Sequence, residues 1–210
     1  MTTIAVFGAT GKTGRLVVER ALGAGHEVRA LVRDPAKLTA TGERLTVVKG
    51  DVLDAAAVGE TVRDAEVVLS LFGHVPGSPK TLQTDGTQLI VDAMHRHGVK
   101  RIISLSGGGL RDAQDRPKLS DHIIRFLLKT MAGHVLADAE HHLKVLQASG
   151  LDWTVVRAPR LLDTPAAGSY RVGSVGVEAS TKISRADFAD FILTQVDDRS
   201  YIRQLPFVSA

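Results

Sequence analysis

The run Gly8-Ala9-Thr10-Gly11-Lys12-Thr13-Gly14 constrains this chain more than any other feature. It begins where four apolar residues, Ile4-Ala5-Val6-Phe7, end. It opens a stretch of helical period from Lys12 to Leu22 that closes at Gly23 and Gly25. Three glycines at this spacing, between a buried strand and a helix, each have a physical reason. One takes dihedrals that other residues avoid, so the chain can turn sharply. A second leaves room for a ligand to approach the main chain, and the third lets the helix pack close to the strand. The free amides and partial positive charge at the helix start then suit a diphosphate. The spacing is one residue longer than the common G-x-G-x-x-G fingerprint, and its place between strand and helix is what makes it specific. A triphosphatase loop is excluded, because Gly11-Lys12-Thr13 would need a glycine five residues before Gly11, where Val6 stands.

The rest of the chain repeats the alternation. Apolar strands are predicted at Glu27–Val32, Leu45–Val48, Glu66–Leu71, Arg101–Leu105 and Trp153–Val156, and helices at 55–62, 81–97, 119–130, 134–149 and 185–195. Strands apolar on both faces and joined by helices imply a parallel sheet covered on both sides. The expected fold is therefore α/β: a Rossmann-like doubly wound parallel sheet in a single domain, residues 1–210. Residues 158–182, with a glycine-rich Gly168–Gly176 able to form a short hairpin, are read as a flap on the substrate side. At 44% hydrophobic and 23% charged, the composition supports a packed core. Cysteine is absent, which excludes a disulfide scaffold, a thiolate metal site and a cysteine nucleophile. A net charge of +3 without a Lys/Arg run argues against nucleic acid. No apolar run approaches the roughly 20 residues needed to cross a bilayer, and no secretion signal is read at the N-terminus. A cytoplasmic protein, monomeric or weakly dimeric and without membrane partners, is expected.

Strand two decides which dinucleotide fits. An acidic residue at its end accepts from ribose hydroxyls in NAD sites, whereas arginine pairs with the extra phosphate of NADP. Here the end reads Leu31-Val32-Arg33-Asp34-Pro35. The planar fork of Arg33 suits phosphate, and Lys37 adds charge nearby. Asp34 either caps the next turn or faces the ribose. NADP(H) is expected, with NAD(H) less favoured. After strand three, Asp51 is a candidate acceptor for the adenine amine and the Val52 amide a candidate donor. Asp51 is equally a candidate cap for the helix starting near Ala55. At the end of strand four, Leu71-Phe72-Gly73 lets bare backbone pass beside the cofactor.

Gly8-Ala9-Thr10-Gly11-x-Thr13-Gly14, Leu31-Val32-Arg33-Asp34, Gly50-Asp51-Val52 and Ser149-Gly150-Leu151 occur in this order. The set resembles the atypical short-chain dehydrogenase/reductases, and within them the biliverdin-IXβ reductase/flavin reductase group, with the NmrA-like proteins as neighbours. The resemblance runs from residue 1 to about 200. It implies an NADPH-binding domain that reduces flavins or similar flat acceptors. It also implies cofactor contacts at Gly8, Thr10, Gly11, Lys12, Thr13, Gly14, Arg33, Asp51, Val52, Leu71, Phe72, Gly73, Ser106, Gly107 and Pro159. Three departures stand out. The usual Tyr-x-x-x-Lys is missing: Lys144 has Glu140 four residues earlier, and the only tyrosines are Tyr170 and Tyr201. The flavin reductase group itself lacks that dyad. Its Thr-Ser pair after strand five reads Ser106-Gly107 here, one position early, and its histidine after the Pro following strand six is Arg160.

An electron-poor acceptor needs orientation more than acid catalysis, since a reduced flavin anion can be protonated by water. Ser106 and the amides of Gly107-Gly108-Gly109 either polarise an acceptor, hold the carboxamide or form an ordinary capped turn. Arg160 either attracts an anionic acceptor or forms a rim salt bridge. Leu110–Ser120, with five charged residues after three glycines, is either a solvated loop or a mobile lid. Beyond it Leu119, Ile123, Phe126, Leu127 and Met131 have helical spacing and read as core. His134, Asp138, His141 and His142 fall near one helical face. Without a further ligand cluster they are not read as a metal site. Two functions remain open: an NADPH-dependent reductase of a flavin, quinone or tetrapyrrole-like acceptor, and a non-catalytic NmrA-like NADP(H) sensor.

Overall fold

A computed structural model describes residues 1–177 and 179–210, with the side chains of 120–125, 127, 128 and 131 outside the described residues. The chain runs β1 (Thr3–Phe7), α1 (Lys12–Gly23), β2 (Glu27–Val32), a 3-10 turn (Pro35–Lys37), β3 (Leu45–Lys49), α2 (Ala55–Val62), β4 (Val67–Ser70) and α3 (Leu82–His97). It continues with β5 (Arg101–Gly107), α4 (Leu119–Ala148), β6 (Asp152–Ala158), β7 (Arg160–Leu162), β8 (Arg171–Gly173), β9 (Lys182–Ser184), α5 (Arg185–Thr194) and β10 (Phe207–Ser209). Eight strands form one sheet in the order β3-β2-β1-β4-β5-β6-β10-β8. Every pairing in it is parallel except β10 with β8. This is the doubly wound Rossmann-type α/β fold, with its strand order reversing between β1 and β4.

Alternation along each strand feeds two cores. Ile4 and Val6 of β1 pack toward α1 and α5, with Val17, Val18, Phe188 and Ile192. Ala5 and Phe7 point the other way, toward α2, α3 and α4, with Val58, Ile90, Met94 and Leu146. Burying a side chain such as Phe7 or Ile4 completely stabilises the fold by about 1.5–3 kcal/mol each. β3 lies at the sheet edge and is only partly covered, so Val47 is exposed.

The helix ends follow their sequence signals. α3 stops at Gly98, whose φ of 72° is left-handed, with His95, Arg96 and His97 in its last turn where they complement the helix dipole. α2 is capped by Asp54, which accepts from the Ala56 and Ala57 amides. Asp51 is therefore not the helix cap; its carboxylate accepts from the Leu53 amide in a turn of its own. Asp34 caps the 3-10 turn through the Ala36 amide. The two helices expected on either side of residue 132 are both present within α4 and meet at a kink, where Ala132 leaves helical dihedrals (φ −142°, ψ 39°).

The apolar residues before the kink depart from expectation. Leu119 and Phe126 are exposed, not core, while Ile123, Leu127 and Met131 lie outside the described residues. Among the described side chains of α4 the buried ones come after the kink, at Asp138, Ala139, His142, Leu143 and Leu146. Helical spacing places apolar side chains on one face but does not supply an element to cover it.

The region after β6 is more regular than its composition suggests. β7 and β9 pair in parallel, and β8 joins the main sheet beside β10. A bridge between Ser174 and Val177 closes a small hairpin, within the glycine-rich stretch where one was expected. No helix among the described residues is long and apolar enough to cross a membrane.

Candidate functional site

The crevice at the carboxyl ends of β1 and β4 is where a doubly wound sheet takes a ligand. Gly8 ends β1 with φ +85°, and a side chain there would meet the backbone of Leu71 and Phe72 at 2.6–2.8 Å. Only glycine permits both that dihedral and that approach of β4 to β1. A side chain on Gly14 would collide with the Gly8 carbonyl, so α1 can pack against the loop only through glycine. The Gly11 amide donates to the Gly8 carbonyl (3.0 Å), which closes the turn. Gly11, an N-cap without a side-chain oxygen, leaves the first amides of α1 uncapped. These features form a cradle of main-chain donors fitted to a diphosphate.

A cleft of about 230 Å³ opens beside this loop, lined in part by Gly8, Thr10, Arg33, Asp51, Val52 and Phe72. Arg33 is exposed on its rim, with Nε 3.8 Å from the Asp51 carboxylate. The cleft brings together seven of the sequence-predicted cofactor residues: Gly8, Thr10, Arg33, Asp51, Val52, Phe72 and Gly73. Its far wall is Val75-Pro76-Gly77-Ser78-Pro79, which the sequence reading did not assign; its Pro and Gly content was the available signal. Leu71 is buried in the core and can face the crevice only with its backbone.

Lys12 and Thr13 lie on the other flank of the loop. Lys12 Nζ reaches Asp163 (2.6 Å), Arg185 Nε reaches the same carboxylate (2.7 Å), and Arg185 Nη1 donates to Thr13 Oγ1 (3.1 Å). Hydrogen bonds from Lys12 and then Arg185 hold the Asp163 carboxyl down at about 2. The segment after β6 is thus tied to the phosphate loop through an exposed carboxylate.

Ser106 occupies the other arm of the crevice, near the end of β5. It is buried, and its Oγ has no hydrogen-bond partner among the described residues. A buried hydroxyl without a partner is costly unless a ligand supplies one. That orphaned atom and the glycine cradle together fit a nicotinamide dinucleotide lying along the crevice. Gly107 follows on the strand and is exposed. Gly108 is packed so closely under Phe207 that a side chain would meet its ring at 2.8 Å. Pro159 and the exposed Arg160 continue from β6 into β7.

The segment Leu110–Ser120, read as a solvated loop or a mobile lid, is tied to its neighbours between Leu110 and Arg116. Arg157, fully buried in β6, forks onto both oxygens of Asp115 (2.7 and 3.0 Å) and donates to the Leu110 and Leu205 carbonyls. Asp115 also accepts from the Val175 amide (3.0 Å), so one ion pair joins this loop, β6 and the hairpin after β8. Burial works to raise the Asp115 carboxyl, but the hydrogen bonds and charge of Arg157 together with the Asp112 and Val175 amides outweigh it and leave it below the ordinary carboxylate range. The signal for this network was an arginine between Val156 and Ala158, in a strand otherwise apolar on both faces.

The histidine-bearing helix face is divided among neighbours. His142 accepts from or donates to Ser104 Oγ at 2.9 Å, and Asp138 turns to the start of α3. Among the described residues no group of three His, Asp or Glu could hold a metal ion. Both tyrosines stand edge-on to Phe191 of α5, at 5.6 Å for Tyr170 and 5.8 Å for Tyr201. They belong to the α1/α5 core, opposite the face of α4.

The comparisons with known proteins agree with this architecture. An uncharacterized chloroplast protein of Arabidopsis thaliana is 29% identical over 176 residues, which cover 78% of this chain and 61% of that protein. The chain therefore spans less than two thirds of that relative's length. A short-chain dehydrogenase/reductase of Veillonella parvula, solved in complex with NADP, superposes with a TM-score of 0.80 at 19% identity, covering 100% of this chain and 94% of that one. ChuY, an anaerobillin reductase of Escherichia coli O157:H7, superposes with a TM-score of 0.81 at 23% identity, covering 99% and 97%. At these identities both structures speak for the fold. The NAD(P)H-binding family matches residues 8–199, nearly the whole chain, and the protein belongs to that family.

Proposed function

We propose that this protein is an NADPH-dependent oxidoreductase that transfers hydride to a flavin or a similarly flat, electron-poor acceptor. The observation that carries the reading is the buried, partnerless Ser106 hydroxyl, at the opposite end of the crevice from Arg33. A dinucleotide spanning the two ends would set its 2′-phosphate by Arg33 and its carboxamide or the acceptor by Ser106. The nicotinamide, when bound, supplies the hydride. The chain's own part is to orient: Gly8 and the α1 amides hold the diphosphate, Ser106 fixes the reacting end, and the flap of residues 158–182 borders the acceptor. Arg160, exposed at the start of that flap, offers a charge to an anionic acceptor. The NADP complex of the Veillonella parvula structure and the anaerobillin reductase of Escherichia coli, a fold relative whose name marks it as a reductase, support this reading.

The position of both tyrosines against Phe191 suits the reductase reading and equally a second one, an NmrA-like sensor that binds NADP(H) without turnover. One experiment separates them. NADPH and NADH are titrated by calorimetry, and NADPH oxidation is then followed with FMN and with menadione. Saturable NADPH binding with turnover on either acceptor is expected. Tight binding without turnover on any acceptor would establish the sensor, and no binding of any nicotinamide coenzyme would end both readings.

A further inference from the structure

A cluster of titratable side chains among the described residues has no part in the site described above: His74, four residues beyond β4, with His134 and Asp138 of α4. His74 Nε2 lies 2.7 Å from Asp138 Oδ2, and the His74 ring stands edge-on to His134 at 5.7 Å. Asp138 also accepts from the Gln83 amide (2.7 Å), the Thr84 amide (3.0 Å) and the Thr84 hydroxyl, at the start of α3. Burial works to raise the Asp138 carboxyl; the Thr84 hydroxyl, the two amides and His74 outweigh it and leave it below the ordinary range. Asp138 is therefore a carboxylate and accepts only, which makes His74 Nε2 the donor. That fixes the imidazole and leaves Nδ1 as the nitrogen able to carry or give up a second proton. His74 is 10% exposed and His134 is exposed, so the inner ring adjoins one that reaches water.

The cluster stands at the height of Ser106. The Ser104–His142 hydrogen bond pins α4 to β5. Ser106 is two residues further along β5 on the same face, about 7 Å higher. A helix connecting parallel strands returns antiparallel to them, so one turn back from His142, about 6 Å, brings Asp138 level with Ser106. Gly73 and Val75, on either side of His74, line the cleft at the Arg33 end, while the His74 ring between them is turned to Asp138 of α4.

We infer that His74, oriented by Asp138 and supplied from water through His134, is the proton donor of the reductase, and that the acceptor is a conjugated carbonyl compound, an enone or a quinone, in preference to a flavin. This rests on the reductase reading above. A reduced flavin persists as an anion and needs no donor, whereas an enone that takes hydride at its β-carbon develops an enolate. In the balanced step the C4–H bond of NADPH breaks and the new C–H bond forms. The C=C electron pair shifts toward the carbonyl oxygen, and the His74 Nδ1 proton passes to that oxygen. NADPH is oxidised to NADP⁺, the enone is reduced to the enol of its saturated ketone, and His74 regains its proton from solvent by way of His134.

The test has two arms. The first needs no activity: long-range proton–nitrogen spectra of the ligand-free protein, followed through a pH titration, should show the neutral His74 ring protonated at Nε2 and Nδ1 taking up the second, transferable proton as the ring becomes charged, and Asp138→Asn should abolish that preference. A neutral ring protonated at Nδ1 overturns the proposal. The second compares NADPH affinity and turnover of wild type, His74→Gln and His74→Ala with menadione, 2-cyclohexenone and FMN. His74→Gln should leave NADPH affinity and any FMN reduction little changed. It should lower kcat on the carbonyl acceptors by roughly two orders of magnitude. Imidazole in the buffer should restore part of the His74→Ala loss, which a purely structural role would not allow. Equal loss on all three acceptors, or undiminished turnover on the carbonyl ones, overturns the proposal and leaves the reductase reading standing. NADPH binding without turnover by wild type on any acceptor overturns both.

Discussion

The two arms of the crevice are built by different means. The arm from β1 to β3 is made of backbone: Gly8 at positive φ, Gly14 against the Gly8 carbonyl, and uncapped amides at the start of α1. The arm beyond β5 is held by side chains far apart in sequence. Arg157 grips Asp115, Asp187 accepts from the amides of Ala167 and Gly168, and Asp163 bridges Lys12 and Arg185. The first arm can take one shape of ligand, since a diphosphate is constant. The second can be re-tailored by changing a few ion pairs without touching the sheet, which is where an acceptor preference belongs.

The largest expected effect comes from breaking the second arm at its centre. Arg157→Met leaves the Asp115 carboxylate buried with only amide partners, and removing one member of a buried pair costs roughly 3–5 kcal/mol. Urea unfolding should show that loss, and brief proteolysis should cut within residues 110–117. Asp115→Leu in the same chain should recover much of the stability, because it removes the stranded charge. Full stability of the single variant would mean that the two arms are not held differently after all.

A pH titration sharpens the contrast on the α4 side. Burial pushes His142 down to about 4, while its Ala139 carbonyl contact and Asp138 work weakly the other way. The folded chain therefore resists a proton that the unfolded chain accepts from about pH 6.5 downward. Stability is unaffected above that range, falls as the pH drops from about 6.5 to 4, and levels off below, with a total loss of roughly 3 kcal/mol. The depressed carboxyls of Asp115, Asp138 and Asp187 have an ordinary value of 3.8, so they add losses mainly at lower pH. Urea midpoints at pH 7 and pH 4.5 measure the histidine contribution. Replacing the pair, His142→Leu with Ser104→Ala, should flatten the profile in that window.

This division also marks what could be read in the sequence. Gly8 to Gly14 and the strands β1 to β6 are local patterns: apolar runs, helical spacing and turn residues within a few positions of each other. Arg33 and Asp51 could be placed at the cleft because they lie within two residues of the ends of β2 and β3, which border the crevice. The strands β7 to β10 are three residues each and lack a period long enough to detect. Asp138 looked like one member of a histidine-rich helix face, and its work at the start of α3, 54 and 55 residues away, has no local signature. Leu119 and Phe126 are exposed against expectation, because helical spacing shows that apolar side chains share a face, not that another element covers that face.

A smaller effect is expected at the phosphate end of the first arm. Arg33→Ala should weaken NADPH binding by about 1.5–3 kcal/mol, or roughly 10–150-fold, through loss of a charge-assisted contact to the 2′-phosphate. NADH, which lacks that phosphate, should bind the variant almost as it binds the wild type. Unchanged NADPH affinity would remove the basis for a preference between the coenzymes, and leave the diphosphate cradle as the sole recognition element in this arm.

The smallest effect is expected where the two arms meet. Asp163 is exposed, so its bridge to Lys12 and Arg185 adds little to stability. Its position matters more, because it places a negative charge beside the loop that is to receive a diphosphate. Asp163→Asn keeps the size of the side chain and removes the charge, which leaves Lys12 and Arg185 without their internal anion. NADPH affinity should then rise a few-fold, and binding should become more sensitive to salt, as two additional cations face the coenzyme. Thermal unfolding should hardly move. A fall in affinity would show instead that the carboxylate works by aiming Lys12 at the phosphates, which would make the junction part of the first arm and its backbone cradle incomplete without a residue from the second.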